Sequence, residues 1–457
     1  MKLSTLMCRC TIAAAMILCA FGMSAKDVTL NGFTYTAEGE KENKKIQVTY
    51  ALNGTDKIAR VKKVVDNNFP QKKSCWIPRS IKVDGVTYKV TKIGAKAFAQ
   101  ADRNGIMNDA NGKPLYEDLS FTRVKLPATI VEIGDEAFCH LSTLKEFELP
   151  SKVEKIGKYA FYVSGVKNLT VPATCTTIGE CAFGACGMET LVFAEGTKPL
   201  TLGRAAFIHN RLTAVTTPNR LAKWEASVFW SNPLLTDATV NGSVTSISES
   251  AFSDCGRLAR VTVNAPVVSI GNQAFFNCYG LSSLKINGNT LRSIGESVFQ
   301  KCAFTSLGPD QLPYGLTTIG KSAFHSCERL ASVEFPVTLT KIVNNAFMGC
   351  KAITRVKCLT PIVLDAENPT FDRSIFDRCD IDVLPHLAPK FRVATEWEWF
   401  NWGKYAEAAI DGVGTDADSA DDAEYYDLNG VRMDAAPVAP GLYIERRGTT
   451  ARKVIIR

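Results

Sequence analysis

Short stretches in which apolar and polar residues alternate succeed one another along most of the chain. Leu141-Ser-Thr-Leu144-Lys-Glu-Phe147-Glu-Leu149-Pro150 is one, and Leu258 to Val263, Leu281 to Ile286 and Leu330 to Pro336 repeat it. A period of two with β-branched residues predicts a strand buried on one face, and a following proline denies the ladder another donor. A second, shorter alternation completes each unit, as in Val153-Glu-Lys-Ile156-Gly157, before an Ala-Phe pair. The glycine predicts a corner that a β-carbon would obstruct. The phenylalanine is expected to turn inward.

The unit is periodic. Ile93-Gly94-Ala-Lys-Ala-Phe98 returns in copies ending at Phe138, Phe161, Phe183, Phe275, Phe299 and Phe324. Looser copies end at Phe207, Phe252 and Phe347, and degenerate ones at Phe229 and Phe376. From Phe138 to Phe347 successive phenylalanines stand 22 to 25 residues apart. So constant a step predicts stacked supersecondary units rather than separate globular domains. One coil cannot bury its own apolar face, so its neighbours must cover it.

The pattern L-x-x-L-x-[IVF]-P followed by I-G-x-x-A-F-x-x-C resembles the BspA-type leucine-rich repeat of bacterial surface proteins, over roughly residues 77–407. The run from Ile77-Pro78 through Gly85-Val-Thr-Tyr88 to Ile93-Gly94 is similar to the way such arrays begin. The expected fold is a β-rich solenoid of about twelve leucine-rich-repeat coils with some short helical or turn segments. The resemblance implies an extracellular or surface-attached protein that binds host matrix proteins or other cells and is not an enzyme.

The ends depart from the repeat. Residues 1–25 carry Lys2 and Arg9, then an apolar run from Thr11 to Phe21 and the small pair Ser24-Ala25. That is the pattern of a signal peptide, too short to remain as a spanning helix. The alternative is a lipoprotein leader acylated at Cys19, although Leu18 sits where such a leader wants a small residue. Residues 26–76 alternate without the repeat and predict a small β N-terminal cap over the first coil's open edge. The repeat solenoid is assigned to 77–380 and a capping segment to 381–410. An excess of about 17 residues between Phe98 and Phe138 predicts a loop within 99–119, read as a solvated decoration or part of a binding face.

Residues 411–424 are acidic and read as a solvated linker. Residues 425–457 form a short β C-terminal tail. Its Tyr425-Tyr-Asp427-Leu-Asn-Gly430-Val-Arg432, Gly441-Leu-Tyr443-Ile444 and terminal Lys453-Val-Ile-Ile-Arg457 are similar to the sorting module of type IX secretion.

Charge and chemistry narrow the function. The 457 residues carry a net charge of +7, reduced to +5 without the leader and spread without a basic block, which argues against a nucleic-acid partner. No stretch besides the leader approaches the apolar length of a transmembrane helix. The four histidines lie apart, and no hydrolase, metalloprotease, P-loop or dinucleotide fingerprint occurs, so no catalytic, cofactor-binding or metal residue is assigned.

Cys186, Cys255, Cys278, Cys302, Cys327, Cys350 and Cys379 each follow a repeat phenylalanine by three residues, with Ser164 in the equivalent place. One per coil predicts a buried column in a slot for a small apolar residue, and pairing of adjacent thiols is the alternative. The expected ligand surface is broad, polar and shallow, without a deep pocket. Lys145, Lys167, Asn168, Arg260, Ser282 and Ser283 are its candidate residues, and an extracellular protein or glycan its partner. Trp397, Trp399 and Trp402 are read as the cover of the last coil or as a sugar-stacking platform. A structural envelope component is the remaining alternative. Oligomeric state is not readable.

Overall fold

The computed structural model describes residues 26–36, 39–66, 73–99, 121–402, 423–426, 432–433, 441–447 and 450–456. The leader, the acidic linker and all but residue 99 of the expected 99–119 loop lie outside them. The repeats form a solenoid with little helix. In each coil a strand of two to five residues runs along one side, and a two- to four-residue strand along another. The longer strands alternate as the sequence requires. In Asn168–Val171 and Ser283–Ile286 the second and fourth side chains are buried and the first and third exposed. Successive strands pair in parallel, one coil to the next.

The inward phenylalanines make a continuous stack. Ring centroids are 4.7 Å apart from Phe98 to Phe138, 4.8 Å to Phe161, 5.4 Å from Phe252 to Phe275 and 5.5 Å to Phe299. The stack ends Phe324, Phe347, Phe371. Phe371 takes the place that the F-x-x-C spacing assigned to Phe376. Phe376 lies in a 3-10 turn, Arg373–Arg378, and packs on Phe400 instead. Offset ring contacts of this kind add about 0.5–1.5 kcal/mol per pair beyond the area they bury.

Each ring also carries a ladder bond. The Phe98 N–H donates to the Ala137 carbonyl of the next coil, Phe275 to Val298 and Phe347 to Thr370. The repeat glycines serve closeness rather than a left-handed backbone. A Cβ on Gly157 would stand 2.5 Å from the Asp135 amide nitrogen of the preceding coil. The left-handed positions of the turn are instead taken by ordinary residues such as Tyr159, Val163, Ala185 and His209.

The thiol column serves a purpose that the sequence reading missed. Cys186, Cys255, Cys278, Cys302, Cys327 and Cys350 each donate their S–H to the preceding coil's phenylalanine carbonyl, at 3.0–3.4 Å. Asn210 and Asn232 occupy the same slot and donate there through Nδ2 at 2.8 and 3.1 Å. In these eight coils the slot holds a small donor, while Leu141 fills it in the coil of Phe138. Cys379 leaves the column, because its coil's ring is Phe371. All twelve cysteines among the described residues are free thiols.

At the N-terminal end, β1 (Lys26–Thr36), β2 (Gly39–Asn53) and β3 (Ile58–Asp66) form an antiparallel meander. β3 pairs in parallel with the strand Val86–Ile93 on the short-strand side. β1 meets β4 (Lys73–Trp76), which pairs with Phe121–Lys125 on the long-strand side. The meander thus covers both edges of the first coil and adds Val48, Tyr50 and Val61 to the common core.

At the other end the ladder stops on a side chain. Phe371 N–H and Thr370 N–H, both buried, donate to the Glu396 carboxylate at 3.2 and 2.9 Å. Residues 423–426, 432–433, 441–447 and 450–456 make a separate four-stranded antiparallel sheet.

Candidate functional site

The outward side of the long strands is the candidate surface, since inward positions are committed to the core. Asn168, Arg260 and Ser283 lie on strands and face solvent. Lys145, Lys167 and Ser282 immediately precede strands and are exposed as well. The structure places these six on one side but does not gather them, because they spread over several coils.

Much of this charge is neutralised between adjacent coils. The Lys167 ammonium lies 2.8 Å from Glu189, whose carboxyl it holds below the usual range. Arg260 reaches Asp237 at 2.6 Å, Lys357 reaches Glu334 at 2.8 Å and Arg355 reaches Asp382 at 2.9 Å. Thr190 donates its hydroxyl to Asn168 Oδ1 at 2.7 Å. Exposed pairs contribute little stability, up to about 1 kcal/mol each. Their effect is to fix a flat pattern of alternating sign.

Two features of this side escaped the sequence reading. Asn241, Asn264 and Asn287 follow successive strands and bond in a line, Nδ2 to Oδ1, at 2.8 and 2.6 Å. Their spacing of 23 residues was the available signal. The second is a hollow of about 670 Å³ over Ser306, Ser332, Glu334, Arg355 and Lys357, walled by Gly308–Gln311. Gly308-Pro309 ends its strand after two residues. The ridge that follows covers the free edge of Ser283–Ile286: Ile286 N–H donates to Asp310 O at 3.0 Å, and Gln311 Nε2 to Leu284 O at 2.8 Å. The face is therefore not uniformly shallow, though its concave part is lined by polar groups.

The tryptophans divide. Trp397 is fully buried, donates Nε1–H to Leu364 O at 2.9 Å and packs edge-on against Phe371, so it closes the ring stack and cannot meet a sugar. Trp402 donates to Trp397 O and lies under the Arg392 guanidinium, 5.7 Å from its ring centre. Trp399 is 57% exposed. Among the described residues no group of three His, Cys, Asp or Glu is arranged to hold a metal ion, and no helix is long and apolar enough to cross a membrane.

Comparison with known proteins gives the repeat a family match. Residues 111–236, 176–305, 224–354 and 293–382 match the family described as BspA type leucine rich repeat region, together spanning more than half of the chain. No curated protein sequence matches. Solved structures that align include a leucine-rich cell surface protein from Faecalibacterium prausnitzii, 23% identical, covering 70% of this chain and 93% of its own with a TM-score of 0.36. A leucine-rich repeat protein from Bacteroides ovatus is 21% identical over 74% of this chain and 98% of its own, TM-score 0.38. The pneumococcal vaccine antigen PcpA is 18% identical over 75% and 92%, TM-score 0.44.

Proposed function

The chain belongs to the BspA-type leucine-rich-repeat family, and from that premise we infer that it is an exported surface protein whose long-strand side captures a macromolecular ligand. The observation that carries this reading is the outward column of the long strands. Its side chains are mostly polar and their order changes along the axis, from Asn168 and Thr170 past the exposed Val192 and the aligned Thr216, Thr239 and Thr262 to Arg260 and Ser283. Such a column can cover the ~800 Å² per partner of an ordinary protein contact. Specificity then comes from the order of charges and hydroxyls along the axis, and the hollow beside Gly308–Gln311 receives whatever protrudes from the partner. No catalytic step is part of this reading.

The leader at 1–25 and the tail resembling a type IX sorting module supply the route to the surface. Cell fractionation tests it: the chain should be found outside the cell without residues 1–25, and retention inside with them attached overturns the route. Capture is tested with the purified full chain against immobilised matrix proteins. Substitutions at Lys167, Arg260 and Ser283 should each weaken binding slightly and together strongly. Loss of all binding from one of them alone, or no binding to any partner, overturns the extended-face reading.

A further inference from the structure

We propose that the turn side of the solenoid, between the short strands and the thiol column, is a binding strip for an uncharged linear polysaccharide, with Trp230 as its principal platform. The proposal is independent of the long-strand face. Each turn has three positions outside the ring stack, the second before the stacked phenylalanine and the two directly after it, of which Gly184, Ala205, Ile208 and Ser253 are buried. Across the five coils from Phe161 to Phe252 these are fifteen positions, and Asp254 is the one Asp, Glu, Lys or Arg among them. The charges of this side stand one place earlier in each turn, at Lys158, Glu180, Arg204 and Glu249, with Lys158 reaching Glu180 at 3.5 Å beside the strip.

Flat rings occupy the strip and are held in place. Tyr162 lies across Gly184 of the next coil, where a Cβ would meet its ring carbon at 2.9 Å. Trp230 is 36% exposed and donates Nε1–H to Asp254 Oδ2 at 2.7 Å, one coil on. Asn277 Nδ2 in turn donates to Asp254 Oδ1 at 2.8 Å. The exposed His209 ring stands 5.6 Å from Trp230, tilted by 40°. A pyranose offers a C–H face to an aromatic ring and hydroxyls at its edge. The strip supplies the complement, aromatic faces with a carboxylate, an amide and an imidazole beside them. Because the rings are fixed before binding, little side-chain freedom remains to be lost.

Spacing selects the shape of the ligand. Neighbouring coils lie 4.9–5.7 Å apart along this stretch of the stack. An extended β-linked pyranose chain advances by a similar distance per sugar, so it can run along the axis with one sugar per coil. Tyr162 and Trp230, three coils apart, then stack on sugars three places apart.

The probes are cellohexaose, xylohexaose and mannohexaose with their disaccharides, added to the purified full chain while tryptophan fluorescence and titration heat are followed. At least one hexasaccharide should bind, more tightly than its disaccharide, with affinity unchanged between low and high salt. Trp230→Ala should weaken binding about tenfold or more, the effect of removing a central aromatic platform. Tyr162→Ala should weaken the hexasaccharide but not the disaccharide. Lys63→Ala, at an exposed position of the N-terminal meander, should leave the sugar affinity unchanged. The proposal is overturned if no hexasaccharide binds at millimolar concentration, or if binding survives Trp230→Ala in a variant that melts like the parent. Salt-sensitive binding, preference for an acidic glycan, or saturation by a cationic peptide in place of sugar overturns it equally.

Discussion

Replacing Glu396 with alanine removes the acceptor on which the coil-to-coil ladder ends. In every earlier coil the stacked phenylalanine's N–H finds a carbonyl in the next one, but Phe371 has no next coil. Its N–H and that of Thr370 meet one carboxylate oxygen at 3.2 and 2.9 Å, with Thr370 and Phe371 fully buried and Glu396 3% exposed. A buried donor left without a partner costs about 1–3 kcal/mol, so two cost about 2–6. Relief of the buried carboxylate's own desolvation returns part of that, leaving a net loss of about 2–4 kcal/mol. Glu396→Gln keeps a carbonyl oxygen in place and should cost about 1 kcal/mol.

Because each coil touches only its neighbours, the loss should appear first as fraying of the last coils. Hydrogen exchange resolves this: amides of Thr370, Phe371 and Phe347 should lose protection in Glu396→Ala, while that of Phe275 keeps it. Urea unfolding gives the total. If Ala and Gln variants were equally damaging, charge and not the acceptor would be the cause; if neither changed exchange at Phe371, the capping argument would fail.

Three further outcomes are expected. Phe275→Ala removes one ring from the middle of the stack and should cost about 3–5 kcal/mol in thermal or urea unfolding; an unchanged melting temperature contradicts the stack's role. Arg220 donates to the carbonyls of Pro172, Cys175, Ala194 and Lys198. Arg220→Met should therefore cost about 2–4 kcal/mol, and Arg220→Lys should not rescue it, since one ammonium cannot span four acceptors; full rescue contradicts this. Burial pushes the Cys186 and Cys255 thiols up to about 12 and those of Cys278, Cys302 and Cys350 well above their ordinary value near 9. The folded state then binds more protons than the unfolded above pH 9, so stability is full below that and falls as pH rises toward 12. Melting curves across that range should show the decline, and Cys278→Ser with Cys302→Ser should flatten it.

The fold was legible because the repeat is a packing rule written many times: a phenylalanine every 22 to 25 residues must stack on its neighbours. The rule misled at the last coil, where Phe376-x-x-Cys379 imitates the motif. The step from Phe347 to Phe371 is 24 and that to Phe376 is 29, so period was the better guide than the cysteine. Asn210 and Asn232 stand three residues after Phe207 and Phe229 and marked the slot as one for donors, a signal hidden by the more frequent cysteine. The candidate surface was harder. Which polar residues face solvent follows from alternation, whereas the Gly308–Gln311 ridge depends on bonds back to Leu284 and Ile286 that no periodicity encodes. Trp230 was invisible for a like reason, since its partner Asp254 lies 24 residues away.

The same stack determines how the protein answers a pull. Folded, one coil of about 23 residues adds one ring spacing, near 5 Å, to the length of the column. Drawn out, those residues span up to about 75 Å. Under tension along its axis the solenoid lengthens by paying out coils from an end, each release adding many times the length that was folded, and the loss of one coil removes only the contacts on the side of the next one that it covered. The β1–β3 meander and Glu396 are then the two catches that hold the spool. A load must break one of them before any length is released, and once it has, the chain stretches instead of snapping free.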